Sequence, residues 1–89
     1  MGEGEGAVEQ CRSALSIIER ALADAGTDLS HALRVRYILP DPEEFEPCWP
    51  ILREAFGADP PAATMIVAGL IDPRFRIEIE VTAAVRTTS

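Results

Sequence analysis

PAATMIVAGLIDPRFRIEIEVTAAV, Pro61–Val85, holds two strand-like runs on either side of a short connection that contains Gly and Pro. The first, ATMIVAGL, is a nearly continuous apolar stretch of strand length, the pattern of a strand covered on both faces. Ile71–Phe75 form a loop. RIEIEVTAAV then alternates, with Ile77, Ile79, Val81, Ala83 and Val85 on one face and Arg76, Glu78, Glu80, Thr82 and Ala84 on the other. Two strands hold neither a sheet nor a site unaided, so the fold depends on what the preceding residues supply to pair with them and cover them.

HALRVRYIL supplies a third strand, because Leu33, Val35, Tyr37 and Leu39 alternate with Arg34, Arg36 and Ile38, and Pro40 ends it. In DPEEFEPCWPILREAFG the residues Phe45, Trp49, Leu52 and Phe56 have helical spacing, while Pro47 and Pro50 oppose a helix interior. The reading that satisfies both is a turn at Asp41–Phe45 and a helix from about Pro47 to Phe56, with proline in its first turn and Gly57 as its stop. ADPPA is a rigid connector to the next strand. Upstream, Val8, Cys11, Leu15, Ile18, Leu22 and Ala25 draw one apolar stripe along a helix that Gly26 closes in the left-handed conformation. Thr27, Asp28 and Ser30 carry turn chemistry. Met1–Gly6, Gly alternating with Glu, reads as a mobile lead-in to a domain over 7–89. The order helix, strand, helix, strand, strand gives an α+β or α/β fold in which a three-stranded sheet lies under two helices. Leu15, Ile18, Leu22, Trp49, Leu52 and Phe56 are its expected helix-to-sheet core, with Val35, Tyr37, Ile77 and Ile79 beneath them.

At 89 residues there is room for one domain with a limited core. The apolar share of 47% is that of a globular chain and excludes a disordered one. No run approaches a membrane-spanning length and the N-terminus lacks a signal peptide's basic and apolar regions, so no membrane partner is expected and the expected location is the cytoplasm. Eight basic residues against fifteen acidic ones, and no Lys, give a net charge of −7 that repels a phosphate backbone, so nucleic acid is not an expected partner. Cys11 and Cys48 lack the spacing of a disulfide framework or a zinc site and read as core packing; no metal or cofactor is indicated.

Few residues have a pattern that points to chemistry. Glu78 and Glu80 sit about 7 Å apart on one strand face, where they can do acid–base work or simply face solvent. Arg34 and Arg36 share a face of their own strand and can clamp a carboxylate or pair with those glutamates across the sheet. His31, the only histidine, stands at a turn-to-strand junction with no relay partner nearby and fits a surface or capping role. Gly69 marks a bulge or a close ligand contact.

A helix ending in AG, the strand VRYILPD, an acidic turn with Phe, a helix ending in FG, PAATMIVAGL and RIEIEV resemble, in that order, the Rid family of YjgF-like proteins, also called L-PSP endoribonucleases. The resemblance covers roughly Ala7–Arg86, and its most specific parts are the PA…VAGL run and the IEIE strand. It implies a chorismate-mutase-like α+β fold with two helices on one face of the sheet, a homotrimer, and small-molecule clefts between subunits. The best-known members hydrolyse 2-imino acids to 2-keto acids and ammonia. The family's acid that positions water carries over to Glu78, and the substrate-binding positions to Ala62, Thr64 and Gly69. Ala62 stands where deaminating members are expected to place an Arg that clamps the substrate carboxylate. Relatives also begin with a β-hairpin before the first helix, whereas this chain starts almost at that helix, so either it is shortened or its trimer closes differently. The resemblance thus implies a divergent imine deaminase, or else a trimeric small-molecule-binding or regulatory module without catalysis. Ribonuclease activity conflicts with the acidic charge.

Overall fold

The computed structural model describes residues 6–57 and 59–85. Except for Gly6, the expected lead-in lies outside them. The first helix, α1 (Ala7–Asp24), buries Ala7, Gln10, Cys11 and Leu15, one side of the apolar stripe. It stops where the sequence places the stop: Gly26 has φ 85°, and the Thr27 N–H reaches back to the Leu22 carbonyl at 2.9 Å. A 3-10 turn at Leu29–His31, capped by Asp28 accepting from the Ser30 N–H, delivers the chain to β1 (Ala32–Leu39).

The acidic segment coils through two 3-10 turns, Pro42–Glu44 and Glu46–Cys48, into α2 (Trp49–Phe56). Pro47 and Pro50 each fall in a first turn, where the missing N–H has no partner to lose. Gly57, at φ 75°, ends α2 in a conformation that strains any residue with a Cβ. Two shorter strands follow, β2 (Ala62–Val67) and β3 (Glu78–Ala83).

The strand order is β2-β1-β3, with β1 parallel to β2 and antiparallel to β3. A parallel neighbour requires a crossover, and α2 is carried in it. The fold is α+β, with both helices on one face of a mixed sheet. Val35, Tyr37, Leu39 and Ile77 meet Cys11, Leu15, Cys48 and Leu52 in one core, flanked by Ile79 and Val81. Phe45 closes its end, with its ring centroid 5.0 Å from that of Tyr37.

Four expectations need correction. ATMIVAGL is not covered on both faces: among the described residues β2 is an edge strand paired only with β1, and of its residues only Ile66 is half-buried. Its apolar composition reflects one open edge and two thinly covered faces. Trp49 is 44% exposed, because its ring lies at the start of α2, edge-on to Phe45 at 6.4 Å, beyond the sheet. Leu33 is 60% exposed, since the β1–β3 register is irregular between Ala32 and Arg34 and β2 begins only at Arg34. Ile18 and Leu22 are half-buried at the margin of α1 rather than inside the core.

Candidate functional site

The helix-free face of the sheet carries the polar residues of all three strands, and the register sorts them into rows. Ala62, Arg34 and Thr82 form one row, Thr64, Arg36 and Glu80 the next, and Ile66, Ile38 and Glu78 the third. Each strand contributes alternate residues to this face because side chains in a strand alternate sides. In the middle row Arg36 donates to Glu80 Oε1 from Nε at 2.8 Å and from Nη2 at 2.7 Å. The two readings of the arginine pair are therefore split between them: Arg36 is paired with a glutamate, whereas Arg34 makes no hydrogen bond or ion pair among the described residues. A hollow of about 240 Å³ lies over Arg34, Arg36, Glu80 and Thr82.

Glu78 is exposed at the far end of this face and makes no ion pair among the described residues. It lies four residues along β1 from the Arg34 row and one strand over from it, a separation of about 13 Å along and about 5 Å across. Ala62 is a further strand away. The structure thus brings Thr64 to Arg36 and Glu80, and keeps Glu78 and Ala62 at diagonal corners. Gly69 lies two residues past the end of β2, where an added Cβ would meet nothing of this chain within 4 Å, so it marks no bulge within β2 and no packed backbone of the described residues requires a glycine there.

Glu78 instead borders a second hollow of about 320 Å³, walled by Ile17 and Ile18 of α1, Leu70, Phe75 and Ile77 of the connection, and Ile79 of β3. Its one buried polar wall is Gln10. The Gln10 amide donates to the Arg74 carbonyl at 2.8 Å and accepts from the Arg76 N–H at 2.7 Å, stapling α1 to the backbone just ahead of Glu78. Sequence reasoning passed over Gln10. The available signal was its spacing of three from Ala7 on the buried side of α1, where a polar side chain must find partners. Arg76 is steered the other way, to Glu44: its Nε donates at 3.2 Å and its Nη2 donates to the second carboxylate oxygen.

The remaining candidates are structural. His31 Nδ1 is 3.0 Å from Asp28 Oδ1, in the same turn where Asp28 caps Ser30, so its place is in the turn that launches β1. Cys11 and Cys48 are free and fully buried side by side. Burial pushes the Cys11 thiol up to about 12, with Cys48 reinforcing it, and burial raises Cys48 too, so neither is a ready nucleophile. Among the described residues no group of three or more His, Cys, Asp or Glu is placed to hold a metal, and no helix is long and apolar enough to cross a membrane.

The sequence profile of the Endoribonuclease L-PSP family matches residues 1–85. The chain belongs to that family. A YjgF-family protein from Neisseria meningitidis shares 32% identity with it at a TM-score of 0.88, covering 96% of this chain and 72% of that one. A member of the YjgF/YER057c/UK114 family from Mycobacterium tuberculosis shares 34% identity at a TM-score of 0.86, over 94% of this chain and 72% of that one. Yeast Mmf1, at 18% identity and a TM-score of 0.84 over 92% of this chain and 66% of that one, shows the likeness of fold alone. No curated protein matches the chain. Within this L-PSP fold, the start of β2 reads Pro61-Ala62-Ala63-Thr64. Both residues after Pro61 are alanines, so no cation stands there, on the open face at Ala62 or on the helix side at Ala63.

Proposed function

We propose that the protein hydrolyses small reactive imines, adding water across C=N and releasing a carbonyl compound and ammonia. Glu78 orients the water, and the apolar hollow beside it takes the substrate's side chain. The observation that supports this reading is that Glu78, on the open face of β3 and with no ion pair among the described residues, is also one of the residues lining an apolar hollow of about 320 Å³. A carboxylate spent in a salt bridge, as Glu80 is, cannot accept a proton from water without first losing its partner. Thr64, Ala62 and Gly69 complete the proposed substrate surface when subunits assemble as a trimer, with the cleft between them. With alanines at 62 and 63, a substrate carboxylate finds no charge-assisted clamp near Glu78, so the preferred imines are those without one.

The test follows the decay of imines generated by an amine or amino-acid oxidase. Wild type should accelerate decay of an uncharged imine, do little for 2-iminopropanoate, and lose activity in Glu78→Gln. Ala62→Arg or Ala63→Arg should raise activity on 2-iminopropanoate, and adding Glu78→Gln should remove that gain. If neither imine decays faster than in buffer and neither Arg variant gains activity, the reading fails. A second reading, a binding module without chemistry, then takes its place, favoured by the alanines that replace the expected cation.

A further inference from the structure

A groove of about 810 Å³ runs between α1 and α2, on the helix side of the sheet and away from the face that carries Arg36 and Glu80. Arg12, Ser16, Glu19 and Ala23 line one wall; their helical spacing sets them in a single row along α1. Ile51, Glu54 and Ala55 of α2 form the other wall, and the buried Leu15 and Leu29 lie at the floor. The turn that holds Thr27 and Ser30 closes the end beside the C-terminus of α1. Glu19 and Glu54, one on each wall, make no hydrogen bond or ion pair among the described residues. The fold thus leaves an apolar floor between two unpaired carboxylates, with Asp28 as a third acid at the closed end.

We propose that this groove docks an amphipathic helix of a partner protein, whose apolar stripe meets Leu15, Leu29, Ile51 and Ala55 and whose flanking Lys or Arg side chains pair with Glu19 and Glu54. Dimensions favour a helix. From Arg12 to Ala23 the wall runs about 16 Å at about 1.5 Å per residue, and a helix about 10 Å across, sunk to half its depth over that length, displaces about 650 Å³. That nearly fills the groove, whereas a small amine would leave most of it wet. An extended peptide suits the walls less well, because α1 and α2 spend their backbone groups on themselves and offer no strand edge, while a docked helix satisfies its own. A second copy of this chain does not supply the guest, since the apolar sides of its own α1 and α2 are buried against its sheet. Charge selects the flanks: three carboxylates against the single guanidinium of Arg12 line the groove, on a chain of net charge −7. The groove shares no lining residue with the hollow beside Glu78, so docking and the proposed hydrolysis stand or fall separately.

The experiment titrates the isotope-labelled protein with a synthetic Leu/Lys peptide of about 14 residues, its leucines at helical spacing, and reads amide NMR shifts. A scrambled peptide of the same composition and spermidine are titrated in parallel. The expected result is saturable binding with a Kd below about 1 mM, shifts centred on Ser16, Glu19, Ile51 and Ala55, and weakening as salt is raised. Glu19→Gln with Glu54→Gln should weaken binding by about tenfold, a loss of about 1.4 kcal/mol. Glu43→Gln with Glu46→Gln removes the same charge from exposed positions outside the groove and should change the Kd by no more than about twofold. Ser16→Trp, which fills the groove from an exposed position, should abolish saturable binding, with circular dichroism confirming that each variant is folded. Equal affinity for the scrambled peptide or for spermidine, equal weakening by the two double substitutions, or shifts centred on the open sheet face would each overturn the inference.

Discussion

Leu15→Ala puts the packing of α1 on a numerical footing. Leu15 is 4% exposed and lies in the same cluster as Cys11, Val35 and Leu52. Truncation removes three buried carbons, about 2.4 kcal/mol of transfer free energy at about 0.8 kcal/mol per methylene. Incomplete collapse of the cavity adds about 1 kcal/mol more, for a loss of about 3 kcal/mol. Against a total stability of about 4–13 kcal/mol for a chain of this length, that is a substantial fraction. The midpoint of thermal unfolding should fall by about 12–24 °C. Ile17 is the internal control: two residues on, it is 65% exposed on the same helix, and Ile17→Ala should cost no more than about 0.5 kcal/mol. Urea unfolding of the two variants at equal concentration, with m-values compared, decides the matter. Equal losses would refute the assigned face of α1 or show that an assembled partner covers Ile17, and a loss below about 0.5 kcal/mol in Leu15→Ala would refute the core itself.

Two further outcomes are expected. Cys11 and Cys48, fully buried with raised thiol pKa values, should react with a disulfide reagent only at the rate of unfolding, and rapid native-state labelling would contradict their placement. The Arg74 side chain, helped by its backbone N–H, lowers Asp72 from 3.8 to about 2, so this pair stabilises the fold above pH 3.8 and its contribution is lost as pH falls toward 2. In Arg74→Ala the Asp72 carboxyl should titrate closer to its ordinary value by NMR, and an unmoved midpoint would remove the side chain as the cause.

The helices and their ends were legible because local chemistry fixes them: Gly26 and Gly57 have positive φ, and Pro47 and Pro50 sit in first turns. The alternation in β1 and β3 was legible for the same reason. What misled was β2, where an apolar run reads alike whether it is buried between layers or lies at an open edge. Composition reports how apolar a strand is and says nothing about its neighbours. Trp49 failed on similar grounds, since helical spacing from Phe45 placed it on the right stripe but could not say where the sheet beneath ends.

The site was harder to read, because its chemistry depends on register rather than on residue type. Arg34 and Arg36 face Glu78 and Glu80 across adjacent strands. A slide of β3 by two residues would keep every side chain on its face while pairing Arg34 with Glu80 and Arg36 with Glu78, two ion pairs in place of one. Among the described residues the actual register pairs Arg36 with Glu80 and leaves Arg34 and Glu78 without an ion pair. Magnitudes explain the choice. An exposed ion pair contributes about 0–1 kcal/mol. The slide would carry Arg74 and Arg76 away from Gln10, whose amide is 4% exposed and bonds to the backbone of both. Stranding a buried amide costs about 1–3 kcal/mol, more than the extra surface pair returns. The buried glutamine on α1, with the Arg76–Glu44 pair and the seat of Ile77 in the core, thus helps hold the register that sets which charged groups on the opposite face are paired. That dependence runs from helix to strand through long-range contacts, and no local pattern in the sequence encodes it.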